Sequence, residues 1–287
     1  METYNDIYLR VRKELKIAGV EASELEARLI VCHGAQRTRE ELLAISKLYA
    51  TDIKIRKKID ECLERRLQGE PIAYILGEWE FYGIPLVINK HVLVPRVDTE
   101  LLAQKAIELL KGSVHQNRVL DLCAGSGCVG LAIAANTPNC RIVMIDISED
   151  ALAVCRQNMI KNNLSRNITV MEADVLKNPP AILGEYDLIV SNPPYIPTAD
   201  IDTLDYTVKD YEPIMALDGG DDGLKFYNAI IGNWSKLLKD GGHLVLECGE
   251  GQAADVRSIL KRHNFIDINT YEDTLGIERV VTGMMIT

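Results

Sequence analysis

The chain has 287 residues, 47% of them hydrophobic, and its net charge of −10 is unevenly spread: residues 1–77 are close to neutral, whereas residues 78–287 carry 29 acidic against 18 basic side chains. A domain that clamps duplex nucleic acid needs a basic face to neutralise phosphates, so this balance argues against nucleic acid as the substrate. No apolar run approaches the roughly 20 residues that span a bilayer, the start METYNDIYLR lacks a basic-then-apolar leader, and the seven cysteines contain no Cys-x-x-Cys, so a cytoplasmic protein with no membrane segment, disulfide framework or metal site is expected.

In chain order, residues 3–68 read as a run of short helices. Tyr4, Ile7, Tyr8, Val11 and Leu15 share one face, followed by Leu25, Leu29 and Ile30, then Leu42, Leu43 and Ile45, then Ile55, Ile59, Leu63 and Leu67. Gly69 and Pro71 stop the last helix, and the aromatic and β-branched stretch beyond, broken by Gly83 and Pro85, predicts a β-hairpin linker over roughly 72–95. The expected organisation is a helical domain over 1–70 suited to docking a protein partner, a linker over 71–96 and an α/β domain over 97–287.

From Asp98 onward helix and strand signals alternate. Helices are predicted at 98–111, 127–136, 149–162, 223–239 and 253–263, with strands at 118–122, 141–146, 167–173, 186–191 and 243–249, and two final strands near 265–271 and 277–283. Short apolar runs separated by helices imply a parallel sheet covered on both faces, here with an antiparallel edge.

Ligands of such sheets bind beyond the carboxyl ends of the strands. The first strand of the α/β domain ends in Asp121-Leu122-Cys123-Ala124-Gly125-Ser126-Gly127, where glycines permit a sharp turn and close approach to a ligand at a helix N-terminus. The next strand ends in Asp146, placed for its carboxylate to accept both hydroxyls of a ribose. Together they describe a nucleoside-containing cofactor, although Gly125-x-Gly127-x-x-Gly130 also satisfies the dinucleotide fingerprint of an oxidoreductase. Asp121 tips the choice toward S-adenosylmethionine, because a carboxylate there can hold the loop or meet a methionine amino group but would repel a pyrophosphate.

Asn192-Pro193-Pro194-Tyr195 directly follows strand 186–191, at the same edge of the sheet. The similar Asn178-Pro179-Pro180-Ala181 precedes that strand, lacks the aromatic residue and reads as an ordinary loop. An amide nitrogen is a poor nucleophile, its lone pair being delocalised into the carbonyl, so it must be positioned and polarised. Asn192 and the Pro193 carbonyl offer two acceptors for the two N–H bonds of an –NH₂ group, and the prolines stiffen the backbone without adding donors. Tyr195 can pack on the planar group and hold it against the methyl donor.

At these residues the chain resembles the release factor glutamine methyltransferases of the PrmC/HemK type. The resemblance also takes in Gly77 to Gly83, Val94-Pro95-Arg96-Val97-Asp98-Thr99-Glu100, Glu212-Pro213, Ala216 to Gly223 and Gly241-Gly242, and so runs over nearly the whole chain. It implies a class I S-adenosylmethionine-dependent methyltransferase fold, with a Rossmann-like seven-stranded sheet and a small N-terminal helical bundle. The implied activity is methylation of the glutamine amide in the Gly-Gly-Gln loop of bacterial peptide chain release factors, releasing S-adenosylhomocysteine. It puts the cofactor loop on Cys123, Ala124, Gly125, Ser126 and Gly127, the ribose acid on Asp146, further cofactor contacts on Asp174, Val175 and Asn192, and the substrate clamp on Asn192, Pro193, Pro194 and Tyr195, with Asn192, Pro193 and Tyr195 catalytic. The chain departs from the family pattern at Cys123, where glycine is common, at Val175, where an aromatic is often found, and at Val97, in place of a usual proline. The alternative acceptor is an exocyclic amine of a nucleic-acid base, since Asn-Pro-Pro-Tyr serves such enzymes too.

Overall fold

The computed structural model describes residues 2–286, and the chain divides into two compact units, one running to Gly77 and including Tyr206–Tyr211, the other Glu78–Asp205 with Glu212–Thr287. In the first unit, α1 (Tyr4–Ile17) and α3 (Arg39–Ala44) open with reciprocal capping boxes, Thr3 with Asp6 and Thr38 with Glu41. Helices α2 (Ser23–Ala35) and α4 (Ile53–Leu67) complete the bundle around Ile7, Val11, Leu15, Ile30, Val31 and Ile59. Residues 72–76, predicted as the start of the hairpin, form a fifth helix, α5 (Ile72–Leu76), whose Ile72, Ala73, Tyr74 and Ile75 are buried. Its left-handed C-cap at Gly77 ends it. The hairpin is thus shorter than expected, β1 (Glu78–Phe81) and β2 (Ile84–Val87).

The second unit continues α6 (Thr99–Leu110), β3 (Asn117–Leu122), α7 (Cys128–Asn136), β4 (Cys140–Asp146), α8 (Glu149–Lys161), β5 (Ile168–Glu172) and β6 (Tyr186–Ser191). A short α9 (Tyr206–Lys209) belongs to the first unit; α10 (Lys225–Ala229), β7 (Leu238–Glu247), α11 (Ala253–Arg262), β8 (Phe265–Glu272) and β9 (Glu278–Met285) finish the second. The seven-stranded sheet has the order β5-β4-β3-β6-β7-β9-β8, with β7–β9 and β8–β9 antiparallel and the rest parallel. This is the class I methyltransferase architecture, and the antiparallel edge falls where expected. The chain reverses direction across the sheet between β3 and β6, which therefore bound a topological switch point.

The predicted helix 223–239 is broken. Only Lys225–Ala229 is α-helical, Ile230–Trp234 widens into a π turn, and Ser235–Leu237 tightens before β7 begins at Leu238. Trp234 explains the irregularity: it is fully buried beside Tyr186 and Tyr227, and its indole N–H is shared between the carbonyls of Val175 (2.8 Å) and Lys177 (3.0 Å). Seating that ring against the β5–β6 connection outweighs regular helix geometry, which Gly232 weakens in any case. No helix among the described residues is long and apolar enough to cross a membrane.

Candidate active site

A cavity of about 310 Å³ opens at the carboxyl ends of β3, β4, β5 and β6. Cys123 and Gly125 line it after β3, Asp146, Ile147 and Ser148 after β4, Ala173 to Leu176 after β5, and Asn192 and Pro194 after β6. Leu93, Pro213, Met215 and Phe226 supply apolar walls.

The glycine loop is built by the backbone. Gly127 caps α7 at φ 80, and a Cβ there would lie 2.7 Å from the Cys155 sulfur, so both conformation and space demand glycine. Cys123 also sits in the left-handed region, at φ 59, so the chain retains a glycine-like backbone at the position where its residue departs from the family pattern. The buried Asn158 of α8 pins the loop: its side-chain N–H donates to the Ser126 carbonyl (2.9 Å) and to Val87 O (3.1 Å), while its oxygen accepts from Val87 N (2.6 Å).

Both oxygens of Asp146 accept backbone N–H groups, Gly125 at 2.8 Å and Ser148 at 3.0 Å, which fixes the carboxylate at the cavity wall. Burial raises its pKa, and these two bonds work against that rise. Asp121, one strand over, turns away from the cavity. Its carboxylate is buried and accepts the Gly130 N–H at 2.9 Å, and burial pushes its pKa up to about 7. Of the two uses expected for this side chain, holding the loop is the one its hydrogen bond serves. Asp174 accepts from Leu176 N (2.9 Å), shaping the turn after β5.

The tetrapeptide is held from three directions. Ser191 before it donates to Leu122 O (2.7 Å), tying β6 to β3. The segment Leu217 to Gly223 runs alongside it: Ile196 N donates to Leu217 O (3.0 Å), and Gly219 N to Ile196 O (2.8 Å). A Cβ on Gly219 would lie 2.7 Å from Tyr195 Cα, which accounts for a glycine in this acidic stretch. Gln252 donates to the Tyr195 carbonyl at 2.8 Å. The Asn192 side-chain N–H donates to the Thr99 hydroxyl (3.2 Å), and the Tyr195 hydroxyl approaches Glu247 Oε1 (3.4 Å). Burial and the neighbouring Glu247 push the Tyr195 pKa up, so it stays a neutral phenol.

Of the residues singled out from the sequence, Cys123, Gly125, Asp146, Asp174, Val175, Asn192 and Pro194 line the cavity. Asp121, Ala124, Ser126, Gly127, Pro193 and Tyr195 are not among its lining residues, although the last two adjoin Asn192 and Pro194, which are. Arg96, Asp98 and Glu100 serve structure: Arg96 pairs with the buried Glu212, Asp98 lies 3.8 Å from Arg279, and Glu100 accepts the Tyr82 N–H at 2.8 Å. Val175 is buried, and the aromatic ring in the wall comes from Phe226, a residue with no distinguishing sequence signal. Thr99 and Glu247 were not anticipated either. A signal existed for Glu247, a lone acid at the end of an apolar strand run whose carboxyl end faces the ligand edge.

Two family models match the chain, the PrmC N-terminal domain over residues 6–77 and the Methyltransferase small domain over 97–207. A release factor glutamine methyltransferase from Thermodesulfovibrio yellowstonii is 40% identical over 263 residues, 89% of this chain and 90% of that protein. Another from Geobacter sulfurreducens is 42% identical over 221 residues, 76% and 75% of the two chains. The crystal structure of a methyltransferase from Pyrococcus furiosus, 16% identical, superposes with a TM-score of 0.51 over 79% of this chain and 100% of that one, and so shares the fold. With near full-length similarity to such relatives, the chain belongs to the release factor glutamine methyltransferase family.

Proposed function

We propose that this protein transfers a methyl group from S-adenosylmethionine to the side-chain amide nitrogen of the glutamine in the Gly-Gly-Gln loop of bacterial peptide chain release factors, in the cytoplasm, releasing S-adenosylhomocysteine and using no metal. One observation carries the reading: in a chain of this family, Asn192 shares a cavity wall with the glycine loop and Asp146. The wall suits the cofactor. Asp146, held by two backbone N–H groups, keeps lone pairs for ribose hydroxyls, and Leu93, Ile147, Val175 and Phe226 offer an apolar bed for a purine. S-adenosylmethionine, when bound, supplies an electrophilic methyl group on a sulfonium.

The remaining work belongs to the chain. With its N–H turned to Thr99, Asn192 offers its carbonyl oxygen, and Pro193 offers another, to the two N–H bonds of the glutamine amide. These acceptors align the nitrogen and stabilise the positive charge that grows on it as the N–C bond forms and the methyl–sulfur bond breaks, one amide proton then passing to water. Tyr195 braces the planar group, and the helical unit over roughly residues 1–70 docks the release factor. Incubation with methyl-labelled S-adenosylmethionine and a release factor, native or with its loop glutamine replaced, tests the reading. Label confined to the native factor is expected; equal labelling of both, or transfer to nucleic acid that Asn192→Ala abolishes, would overturn it.

A further inference from the structure

The side-chain amide of Asn192 is nearly symmetric in shape but not in chemistry. With its oxygen toward the cavity it accepts from a substrate –NH₂; reversed, it presents donors to donors. Thr99 alone does not decide between the two, because a hydroxyl can accept from Asn192 or donate to it. An ionised carboxylate accepting from that hydroxyl would decide it.

We propose that Thr99 and Glu247 are positioning residues that fix the orientation of the Asn192 amide, the Thr99 hydroxyl donating a hydrogen bond to the Glu247 carboxylate so that only a Thr99 lone pair remains for the Asn192 N–H. This rests on the functional reading above. Thr99, the first residue of α6, is buried, and its oxygen lies 3.2 Å from Asn192 Nδ2. Glu247, the last residue of β7, is 2% exposed and follows Leu244, Val245 and Leu246, all fully buried. Its Oε1 takes the Tyr195 hydroxyl at 3.4 Å, and its Oε2 is buried without a hydrogen-bond partner. No ion pair within 4 Å holds it among the described residues. A carboxyl buried at such cost keeps one acceptor oxygen unused beside the Tyr195 hydroxyl, and the Thr99 hydroxyl lies close enough to influence it.

The groups around it set its charge. Burial raises its pKa to about 7, Asp98 adds to the rise, and the Thr99 and Tyr195 hydroxyls and Arg279 oppose it. Cys128, Tyr227 and Cys248 also lie within its field. Ionised, Glu247 can only accept, and the order Asn192 to Thr99 to Glu247 is enforced. Protonated, it can donate to Thr99, and the constraint on Asn192 relaxes.

Two readouts separate positioning from general support of the fold. Thr99→Val, which keeps the shape and removes the hydroxyl, is expected to lower kcat about tenfold or more while S-adenosylhomocysteine affinity stays within about twofold; Thr99→Ser is expected to restore turnover. Binding of a release factor whose loop glutamine is replaced by glutamate, an acceptor, should gain on binding of the native factor in Thr99→Val, because a freed Asn192 can present its donors. In the wild type, kcat is expected to fall as pH drops through about 7, and Glu247→Gln should flatten that limb. A Thr99→Val enzyme with native kcat, or one whose lost turnover leaves the glutamine-over-glutamate preference intact, overturns the assignment. Wild-type enzyme that labels no release factor overturns the functional reading and this assignment with it; wild-type labelling beside an unimpaired Thr99→Val enzyme overturns the assignment alone.

Discussion

Asp146 and Asn192 share one cavity wall yet are expected to fail differently when replaced. Asp146→Ala removes the proposed acceptor for ribose hydroxyls and frees the Gly125 and Ser148 N–H groups. Loss of a charged acceptor of this kind costs roughly 1.5–3 kcal/mol, so calorimetry should show S-adenosylhomocysteine binding weakened by tenfold or more, about 1.4 kcal/mol per decade. Asn192→Ala should leave that affinity nearly unchanged and lower kcat; equal cofactor affinity in both variants would contradict the division. Cys123 holds a left-handed backbone that costs a side-chain residue roughly 1–2 kcal/mol. Cys123→Gly is therefore expected to be neutral or stabilising by up to about 1 kcal/mol in urea unfolding, after the entropy glycine adds to the unfolded chain, whereas β-branched Cys123→Val should destabilise. Glu247 yields a pH prediction. Its folded pKa of about 7 exceeds the unfolded value, so its contribution to stability is complete below about pH 4 and is lost as pH rises through about 7. The unfolding free energy should fall by up to roughly 3 kcal/mol across that window, with the buried Asp121 acting in the same direction. Glu247→Gln should remove its share of the slope, and a wild type equally stable at both ends would refute the sign.

At the scale of elements, the segment Leu217 to Gly223 clasps the tetrapeptide. The acidic character of that segment has local uses: the Asp218 carboxylate accepts Thr198 Oγ (2.6 Å) and Gly220 N (2.9 Å), and Asp222 accepts Leu224 N (2.9 Å). Gly219 is where the two strands of chain touch, and an alanine methyl would meet the backbone of Tyr195, which a rotamer change cannot relieve. Gly219→Ala is expected to cut kcat by an order of magnitude or more through displacement of Asn192 and Tyr195, with circular dichroism unchanged; native turnover would show that the clasp yields freely. The strands and helices that carry the glycine loop were legible because their apolar runs are short and cleanly punctuated. The helix predicted at 223–239 was misread because periodicity reports a buried face and not what lies opposite it. The Val175 and Lys177 carbonyls that capture Trp234 arrive from another part of the chain. Likewise Ile72 to Leu76 carry a β-branched, aromatic pattern but bury all but Leu76 as a helix within the first unit.

The whole molecule crosses between its two units more than once, since Tyr206–Tyr211 belongs with the helical unit although its neighbours in sequence do not. Tyr206 packs against Gly69, where no side chain would fit, and Tyr211 donates to Gln68 O at 2.9 Å. A protein comprising only residues 78–287 is therefore expected to be cut by protease within about 204–212 far faster than the full chain; equal rates would show that this stretch is ordered without the helices. The sequence by itself determined the alternation of strands and helices, the sheet edge that carries the glycine loop and Asp146, and the tetrapeptide after β6, because periodicity, turn chemistry and position after a strand are local properties of the chain. Only the tertiary structure decided that Asp121 turns inward to α7, that Phe226 supplies the aromatic wall, and that Thr99 and Glu247 stand behind Asn192 and Tyr195. These are contacts between residues about 50 to 90 apart in the chain, as with Asn192 and Thr99, or directions of side chains, and no local pattern encodes which distant partner a buried polar group will find.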